Sequence, residues 1–158
     1  MEQIWFNLWL GDWEDAISRR RLADNGIDAV LNVAVDHCTS EVLAHANPEL
    51  LNFPLRYRYP IIDGSGNRPK HFLGACTLLN TLMDEHDNTL VHCMAGMSRS
   101  PTIAAVVLAY RNGGKFEHHL NEIAKLRKIV NPDSNLLKLG EWALKQLKLI
   151  DMSYHGDR

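Results

Sequence analysis

The hydrophobic and polar positions of the chain form short apolar runs that alternate with longer segments of helical spacing. The apolar runs predict buried strands at 4–10, 29–35, 50–55 and 89–92. The spacing of apolar residues predicts helices at 13–25, 41–46, 71–85, 100–111, 116–128 and 135–148. Because strands alternate with helices, we expect an α/β fold: a single-domain α/β/α sandwich with a central, mostly parallel sheet of about five strands flanked by helices.

Length and composition indicate one globular domain. With 158 residues the chain is long enough to bury most of its apolar surface, and we expect a domain at 1–150 followed by a polar, frayed tail at 151–158. The formal net charge of −2 and the lack of a long basic stripe argue against nucleic acid as a partner. The densest basic run, Arg19 to Arg21, is interpreted as a solvated helix face rather than a phosphate-docking patch.

The three cysteines indicate neither a disulfide framework nor a metal site. Their number is odd, and Cys38, Cys76 and Cys93 lack the paired C-x2-C spacing of structural zinc sites, so we expect no metal and no cofactor. No apolar run approaches the ~20 residues that span a bilayer, so no membrane partner is expected. These features predict a protein of the reducing cytoplasm, and a monomer is favoured over an oligomer.

The main candidate for a functional site is the run from Val91 to Ser100, which lies between a predicted strand and a predicted helix. Such a strand end lies at the carboxyl edge of the sheet, where open α/β folds bind ligands. The backbone N–H groups of a loop curled around one point form an anion site, and their field stabilises a thiolate at Cys93. Arg99 adds a planar fork that matches two oxygens of a phosphoryl group. We therefore predict that Cys93 is a nucleophile for phosphorus. The residues predicted to bind the phosphate are Met94, Ala95, Gly96, Met97, Ser98 and Arg99.

This run resembles the signature loop of the cysteine-dependent protein phosphatases, His-Cys-x-x-Gly-x-x-Arg-Ser, and its full form is similar to the dual-specificity branch. Further matches extend the resemblance from about residue 4 to about residue 147, and they are Trp9-Leu10-Gly11, Glu14-Asp15-Ala16, Val30-Leu31-Asn32-Val33-Ala34, Ala109-Tyr110, Asn131-Pro132 and Leu136-Leu137. The resemblance implies the cysteine-phosphatase fold in a small dual-specificity protein phosphatase. It also implies hydrolysis of phosphotyrosine, and of phosphoserine and phosphothreonine, in a protein or peptide substrate through a cysteinyl-phosphate intermediate.

The resemblance further implies roles for residues around the loop. Ser100 matches the position whose hydroxyl assists departure of the cysteine thiolate, and as plain sequence it is a helix cap. His92 matches a residue that orients the loop and helps to hold the thiolate, and its structural role as a hydrogen-bonded core histidine is favoured. Asn32 matches a supporting amide at the end of a strand.

The reaction needs a proton donor for the leaving oxygen, and Asp63 is the predicted general acid. It lies thirty positions ahead of Cys93 in a polar, glycine-rich loop, where a mobile carboxyl group can meet a bound substrate. Because Asp-Gly is a strong turn pair, the alternative is a plain turn residue, and Asp36 is the main rival as the acid. Asn67 is predicted to shape this loop.

Three other functions are weighed against a protein phosphatase. A phosphopeptide-binding pseudophosphatase would keep the cradle without turnover, but Cys93, Arg99 and Asp63 are all present. A phosphatase for a non-protein phosphomonoester is the second alternative. Its substrate would be a lipid, an RNA end or a sugar phosphate. The variable positions of the loop carry no lysine, which disfavours a lipid. The presence of Asp63 and the net charge of −2 disfavour an RNA end. A sulfur or arsenate enzyme with a similar loop is disfavoured by the flanking matches.

The remaining cysteines leave one redox question open. A thiolate such as Cys93 oxidises easily, and Cys76 or Cys38 would then be able to trap it as a disulfide. A buried helix cysteine is the favoured interpretation of Cys76.

Overall fold

The computed structural model describes residues 1–35 and 48–155. A five-stranded sheet has the order β1-β2-β5-β3-β4, in which β1 and β2 are antiparallel and every other pair is parallel. The strands are β1 (Glu2–Trp5), β2 (Leu8–Gly11), β3 (Ala29–Ala34), β4 (Leu55–Ile61) and β5 (Thr89–His92). The predicted α/β class and mostly parallel sheet are confirmed, and β5 lies at the centre of the sheet.

Two strand predictions were wrong. The apolar run 4–10 is a hairpin of β1 and β2, because the chain reverses at Phe6 and Asn7, and the Asn7 amide is anchored inside by a 2.7 Å bond to the Met83 carbonyl. The predicted strand 50–55 is a short 3-10 helix, Pro48–Leu51, and the strand follows it at Leu55–Ile61. The Arg56 guanidinium of this edge strand is half-buried and donates to the carbonyls of Leu50 and Ala16.

The helix predicted at 13–25 is two short helices that meet at Ser18. Asp12 caps α1 (Trp13–Ile17) by accepting from the Asp15 N–H at 3.0 Å. Ser18 then has extended backbone, and its hydroxyl accepts from the Arg21 N–H to cap α2 (Arg19–Asp24). A capping serine inside an amphipathic pattern therefore divides the helix, because its side chain competes for backbone N–H groups.

The four long helices lie close to their predicted positions. They are α3 (Pro69–Glu85), α4 (Arg99–Asn112), α5 (Phe116–Leu126) and α6 (Ser134–His155). The predicted frayed tail was wrong over residues 151–155, since α6 continues through them to His155. The helix predicted at 41–46, Asp36 and Cys38 lie outside the described residues.

The sheet is covered on both faces. Alternate side chains of the strands, such as Leu31 and Val91, join one large core cluster with α3, α4 and α6, whereas Val30 and Leu90 join a second cluster with α1 and α2. Helix α4 is buried along most of its length, so it is held rigidly behind the end of β5. Within the described residues, no helix is long and apolar enough to span a bilayer.

Candidate active site

The predicted signature loop lies at the centre of the sheet's carboxyl edge. β5 ends at His92, α4 begins at Arg99, and residues 93–98 connect them. In the register of the sheet, His92 has Gly11 of β2 on one side and Asn32 of β3 on the other. The loop therefore starts at the end of the central strand and leads into α4, which is buried along most of its length.

Every carbonyl group of the loop 93–98 accepts a hydrogen bond from a group outside the cradle or from the following helix. The pairs are Cys93 with His92 Nδ1, Met94 with the Trp13 N–H, Ala95 and Gly96 with Arg127, Met97 with the Asn131 N–H, and Ser98 with the N–H and hydroxyl of Thr102. The C=O and N–H of a trans peptide point in opposite directions. The N–H groups therefore converge on the inner side of the loop, which is the geometry of an anion site.

Cys93 lies at the base of this cradle and is only 2% exposed. Burial alone would raise the pKa of its thiol, but the Ser100 hydroxyl, the N–H groups of Ser100 and Gly96 and the charge of Arg99 outweigh it and hold the pKa below its usual value. The Ser100 Oγ donates to Cys93 Sγ across 3.3 Å. Such an environment produces a thiolate that is nucleophilic near neutral pH.

Arg99 is the first residue of α4 and is buried. Its Nη1 donates to the carbonyl of Ile61, the last residue of β4, across 3.3 Å. This bond connects the loop to the segment that carries Asp63. The guanidinium is therefore held at the junction of the two segments that the sequence predicted to act together.

The segment after β4 is shaped by Asn67. The Asn67 Oδ1 accepts from the Ile62 N–H, and its Nδ2 donates to the Ile62 carbonyl, both at 2.8 Å. A single side chain thus closes the turn 62–67, as the sequence predicted. Asp63 is exposed within this turn, so its carboxyl group is free to meet a ligand that enters from solvent.

His92 and Asn32 lie under the loop as buried polar residues. Because the Cys93 carbonyl can only accept, the bond from His92 Nδ1 at 3.0 Å requires the proton on Nδ1. Burial lowers the pKa of His92 to about 4, so the ring is neutral at pH 7 and orients the loop without adding charge. The Asn32 Oδ1 accepts from the Ala34 N–H at 2.9 Å and holds the end of β3.

Sequence reasoning missed Arg127, which donates to two carbonyls of the loop. It was included in the helix predicted at 116–128, where an arginine is usually a surface residue. Asp12, Trp13 and Asn131 were also missed as contacts of the loop or of Arg127. The bonds of Trp13 and Asn131 come from backbone N–H groups, for which a sequence carries no side-chain signal.

The other described cysteine, Cys76, lies within α3 and is completely buried. Desolvation raises the pKa of its thiol, so it stays protonated and behaves as a small apolar side chain. Both Cys76 and Cys93 are free thiols. Within residues 1–35 and 48–155, no group of three or more histidine, cysteine, aspartate or glutamate side chains is arranged to hold a metal ion.

The fold and the site define an α/β domain that holds a buried thiol in a loop at the carboxyl edge of the central strand of a mixed sheet. Residues 8–143 match the family model described as dual specificity phosphatase, catalytic domain. The chain belongs to this family.

Individual relatives agree with this assignment. The chain is 26% identical over 140 residues to tyrosine-protein phosphatase yvh1 of Schizosaccharomyces pombe, an alignment that covers 87% of this chain and 39% of that protein. The chain thus spans well under half the length of this relative. Among solved structures, human DUSP28 matches with a TM-score of 0.76 at 17% identity, covering 94% of this chain and 99% of that one. PTPMT1 in complex with PI(5)P matches with a TM-score of 0.71 at 18% identity, covering 94% and 97%. These structures show a shared fold.

Proposed function

We propose that this protein hydrolyses phosphomonoesters of tyrosine, and of serine and threonine, in proteins through a cysteinyl phosphate formed on Cys93. The observation that carries the proposal is the loop 93–98, whose carbonyls are all bonded outward and whose N–H groups surround a thiol of lowered pKa. A phosphoryl group is the ligand that fits both features, because its oxygens match the N–H groups and its phosphorus is an electrophile for the thiolate.

In the first step, the Cys93 thiolate attacks phosphorus, and the bond between phosphorus and the ester oxygen breaks. The N–H groups of the loop and the Arg99 guanidinium hold the three non-bridging oxygens, where charge accumulates in the transition state. The electron pair of the broken bond goes to the leaving oxygen, which takes a proton from the Asp63 carboxyl group. The Asn67 bonds that close the turn support a defined position for this acid.

In the second step, a water molecule attacks the phosphorus of the cysteinyl phosphate, and the bond between sulfur and phosphorus breaks. The Asp63 carboxylate takes the proton of the water, and the products are inorganic phosphate and the free thiolate. Ser100 stabilises the departing thiolate, since its hydroxyl already donates to Cys93 Sγ at 3.3 Å. This contact supports the role that the resemblance implies for Ser100.

The side chains around the cradle favour an aryl or peptide substrate over a polyphosphorylated one. The variable positions of the loop are Met94, Ala95, Met97 and Ser98, which bring no charge to meet a second phosphate. Met97 of the loop and Ile62, which precedes Asp63, are large apolar side chains with 39% and 43% of their surface exposed. Exposed apolar side chains in these two segments support an aromatic substrate such as phosphotyrosine.

A phosphoinositide is the second candidate substrate, because PTPMT1, whose fold this chain shares, is in complex with PI(5)P. The uncharged loop weighs against it, since a headgroup with several anionic oxygens is bound best by additional cations. Turnover measurements on phosphopeptides and on PI(5)P distinguish the two candidate substrates.

The test compares the wild type, Cys93→Ser and Cys76→Ser on p-nitrophenyl phosphate, a phosphotyrosyl peptide, a phosphothreonyl peptide and PI(5)P vesicles. We expect turnover of the aryl phosphate and the peptides by the wild type and by Cys76→Ser, and none by Cys93→Ser. Preferential turnover of PI(5)P would replace the protein substrate by a lipid. Binding of tungstate by a wild type that turns over none of the four would overturn the enzyme and favour a phosphate-binding module.

A further inference from the structure

Arg127 is an almost completely buried charge outside the signature loop. It follows the last turn of α5, where its N–H donates to the Ile123 carbonyl, and its side chain is only 7% exposed. A buried guanidinium is strongly destabilising unless its donors are satisfied. The hydrogen-bond partners of the Arg127 guanidinium therefore indicate its role.

Each nitrogen of the Arg127 guanidinium has a partner. Nε donates to the Gly96 carbonyl at 2.9 Å, and Nη2 donates to the Ala95 carbonyl at 2.8 Å and to Asp12 at 3.3 Å. Nη1 donates to Glu2 of β1 at 2.7 Å. Burial alone would lower the pKa of Arg127, but the two carboxylates outweigh it and raise the pKa, so the group stays charged. One planar fork thus joins β1, the cap of α1 and two successive peptides of the loop.

The two carbonyl bonds fix the direction of the N–H groups of the loop. The carbonyl of Ala95 and the N–H of Gly96 belong to one planar peptide and point in opposite directions. Holding the carbonyl outward therefore turns the Gly96 N–H inward, and this N–H is among the groups that lower the pKa of Cys93. Holding the Gly96 carbonyl outward turns the Met97 N–H inward in the same way.

Only glycine fits at position 96 beside the Arg127 guanidinium. Its φ of +63° is one that L side chains rarely adopt, and a Cβ at this position would lie 2.9 Å from both Nε and Nη2 of Arg127 and 2.4 Å from the Gly11 carbonyl. The guanidinium thus occupies the space that any side chain at position 96 would need. A lysine at position 127 has a single ammonium group and no planar fork, so it would not hold both peptides at once.

We propose that Arg127 is a positioning residue of the active site, which holds the loop in its anion-binding form by fixing the peptides of Ala95 and Gly96 from the side opposite the ligand. Arg127 does not touch the substrate, and it acts through the backbone. The inference rests on the proposed function only in that the ligand of the loop is a phosphate. It adds that β1 supports the site through Glu2, although this strand is distant in sequence from the loop.

The test compares Arg127→Lys and Glu2→Gln with Arg111→Lys. Arg111 is a suitable control because its guanidinium also donates to a backbone carbonyl, of Asn80, and to a carboxylate, of Asp84, but away from the loop. Three quantities are measured on each purified variant: the inhibition constant of inorganic phosphate, the pH dependence of Cys93 alkylation by iodoacetamide, and the melting temperature.

For Arg127→Lys we expect the inhibition constant of phosphate to rise about tenfold or more, because two bonds from a charged donor are disturbed. We also expect the alkylation midpoint to move to higher pH. Glu2→Gln, which loosens one anchor and leaves the loop sequence intact, should change both quantities in the same direction by less. Arg111→Lys should leave both unchanged.

Two outcomes would overturn the inference: an unchanged inhibition constant and midpoint in both Arg127→Lys and Glu2→Gln, or a fall in melting temperature without a change in either quantity. If Arg127→Lys does not fold, Glu2→Gln alone decides between these results. A wild type that neither turns over aryl phosphates nor is inhibited by phosphate would contradict the proposed function itself, so the two failures are distinguishable.

Discussion

The Ser100 hydroxyl donates a hydrogen bond to the Cys93 thiol, with Oγ and Sγ 3.3 Å apart. Both residues are buried, one at the beginning of the loop and the other in the first turn of α4. The first turn of α4 therefore lies beside the first residue of the loop, and the hydrogen bond favours the charged form of the sulfur. Ser100 is thus both a part of the helix start and a part of the candidate nucleophile's environment.

Replacing Ser100 by alanine should raise the pKa of Cys93. The hydroxyl is the first of the groups that lower this pKa against the effect of burial, so its loss leaves a less acidic thiol. The measurement is the rate of Cys93 alkylation by iodoacetamide as a function of pH, and its midpoint should move upward. Ser153→Ala, a matched change near the end of α6, should leave the midpoint in place, and an equal shift in both variants would contradict the assignment.

Replacing Asp63 by asparagine should slow the first step most for substrates with basic leaving groups. A general acid contributes about 10²–10⁴-fold, and its loss matters least when the leaving phenolate is stable by itself. We therefore expect a much larger fall in kcat/KM for phenyl phosphate than for p-nitrophenyl phosphate. Asp87→Asn, at an exposed position after α3, is the control. If Asp63→Asn matches the wild type on both esters, Asp36→Asn is the variant to examine next.

Gly96→Ala should lower kcat/KM for p-nitrophenyl phosphate by at least about 10²-fold while the protein still folds. A Cβ at this position would meet the Gly11 carbonyl at 2.4 Å and the Arg127 guanidinium at 2.9 Å, so the loop must move. Losing one well-placed donor for a developing oxyanion costs about 10²–10³-fold in rate, and we expect at least this loss. Gly113→Ala is the control, since Gly113 also has a positive φ, +78°, but no atom lies within 4 Å of its added Cβ. Equal activity of the two variants would show that crowding at the loop is unimportant.

His92 should make the folded protein sensitive to mild acid. Burial lowers its pKa from 6.5 to about 4 in the folded state. As the pH falls below about 6.5, the unfolded chain binds a proton that the folded protein refuses, so stability is lost between pH 6.5 and pH 4. The free energy of unfolding from urea titrations should fall by about 2 kcal/mol between pH 7 and pH 5 from this group alone.

The control for this effect is a pair of glutamine variants. His92→Gln should show a smaller loss of stability between pH 7 and pH 5 than the wild type, because the buried titrating group is gone. His118→Gln, at an exposed position of α5, should show the same loss as the wild type. A wild-type slope in His92→Gln would mean that other groups cause the acid sensitivity.

The parts of the site that depend on local sequence were predictable. β5 ends at His92 as expected, because a short apolar run bounded by polar residues is a clear strand signal, and the loop and α4 follow directly from it. The strand before the acid turn was placed too early, at 50–55, because that run is apolar whereas β4 itself carries Arg56 and Arg58. The Arg56 guanidinium donates to the carbonyls of Leu50 and Ala16. The role of Arg127 was missed because an arginine near the end of a helix is usually a surface residue. Its partners come from residues 2, 12, 95 and 96, and contacts so distant in sequence follow only from the folded chain.

The most direct test of the central claim is to trap the phosphoryl group on Cys93. Ser100→Ala should accumulate the intermediate, because the departing thiolate loses its hydrogen-bond donor and the second step slows. The variant is mixed with p-nitrophenyl phosphate, quenched in acid within milliseconds to seconds, and digested for mass spectrometry. We expect one phosphoryl group on the peptide that contains Cys93, a matching burst of p-nitrophenol, and neither signal in Cys93→Ser. Turnover without a phosphorylated Cys93 peptide, or with the phosphoryl group on another residue, would contradict the assignment of Cys93 as the nucleophile.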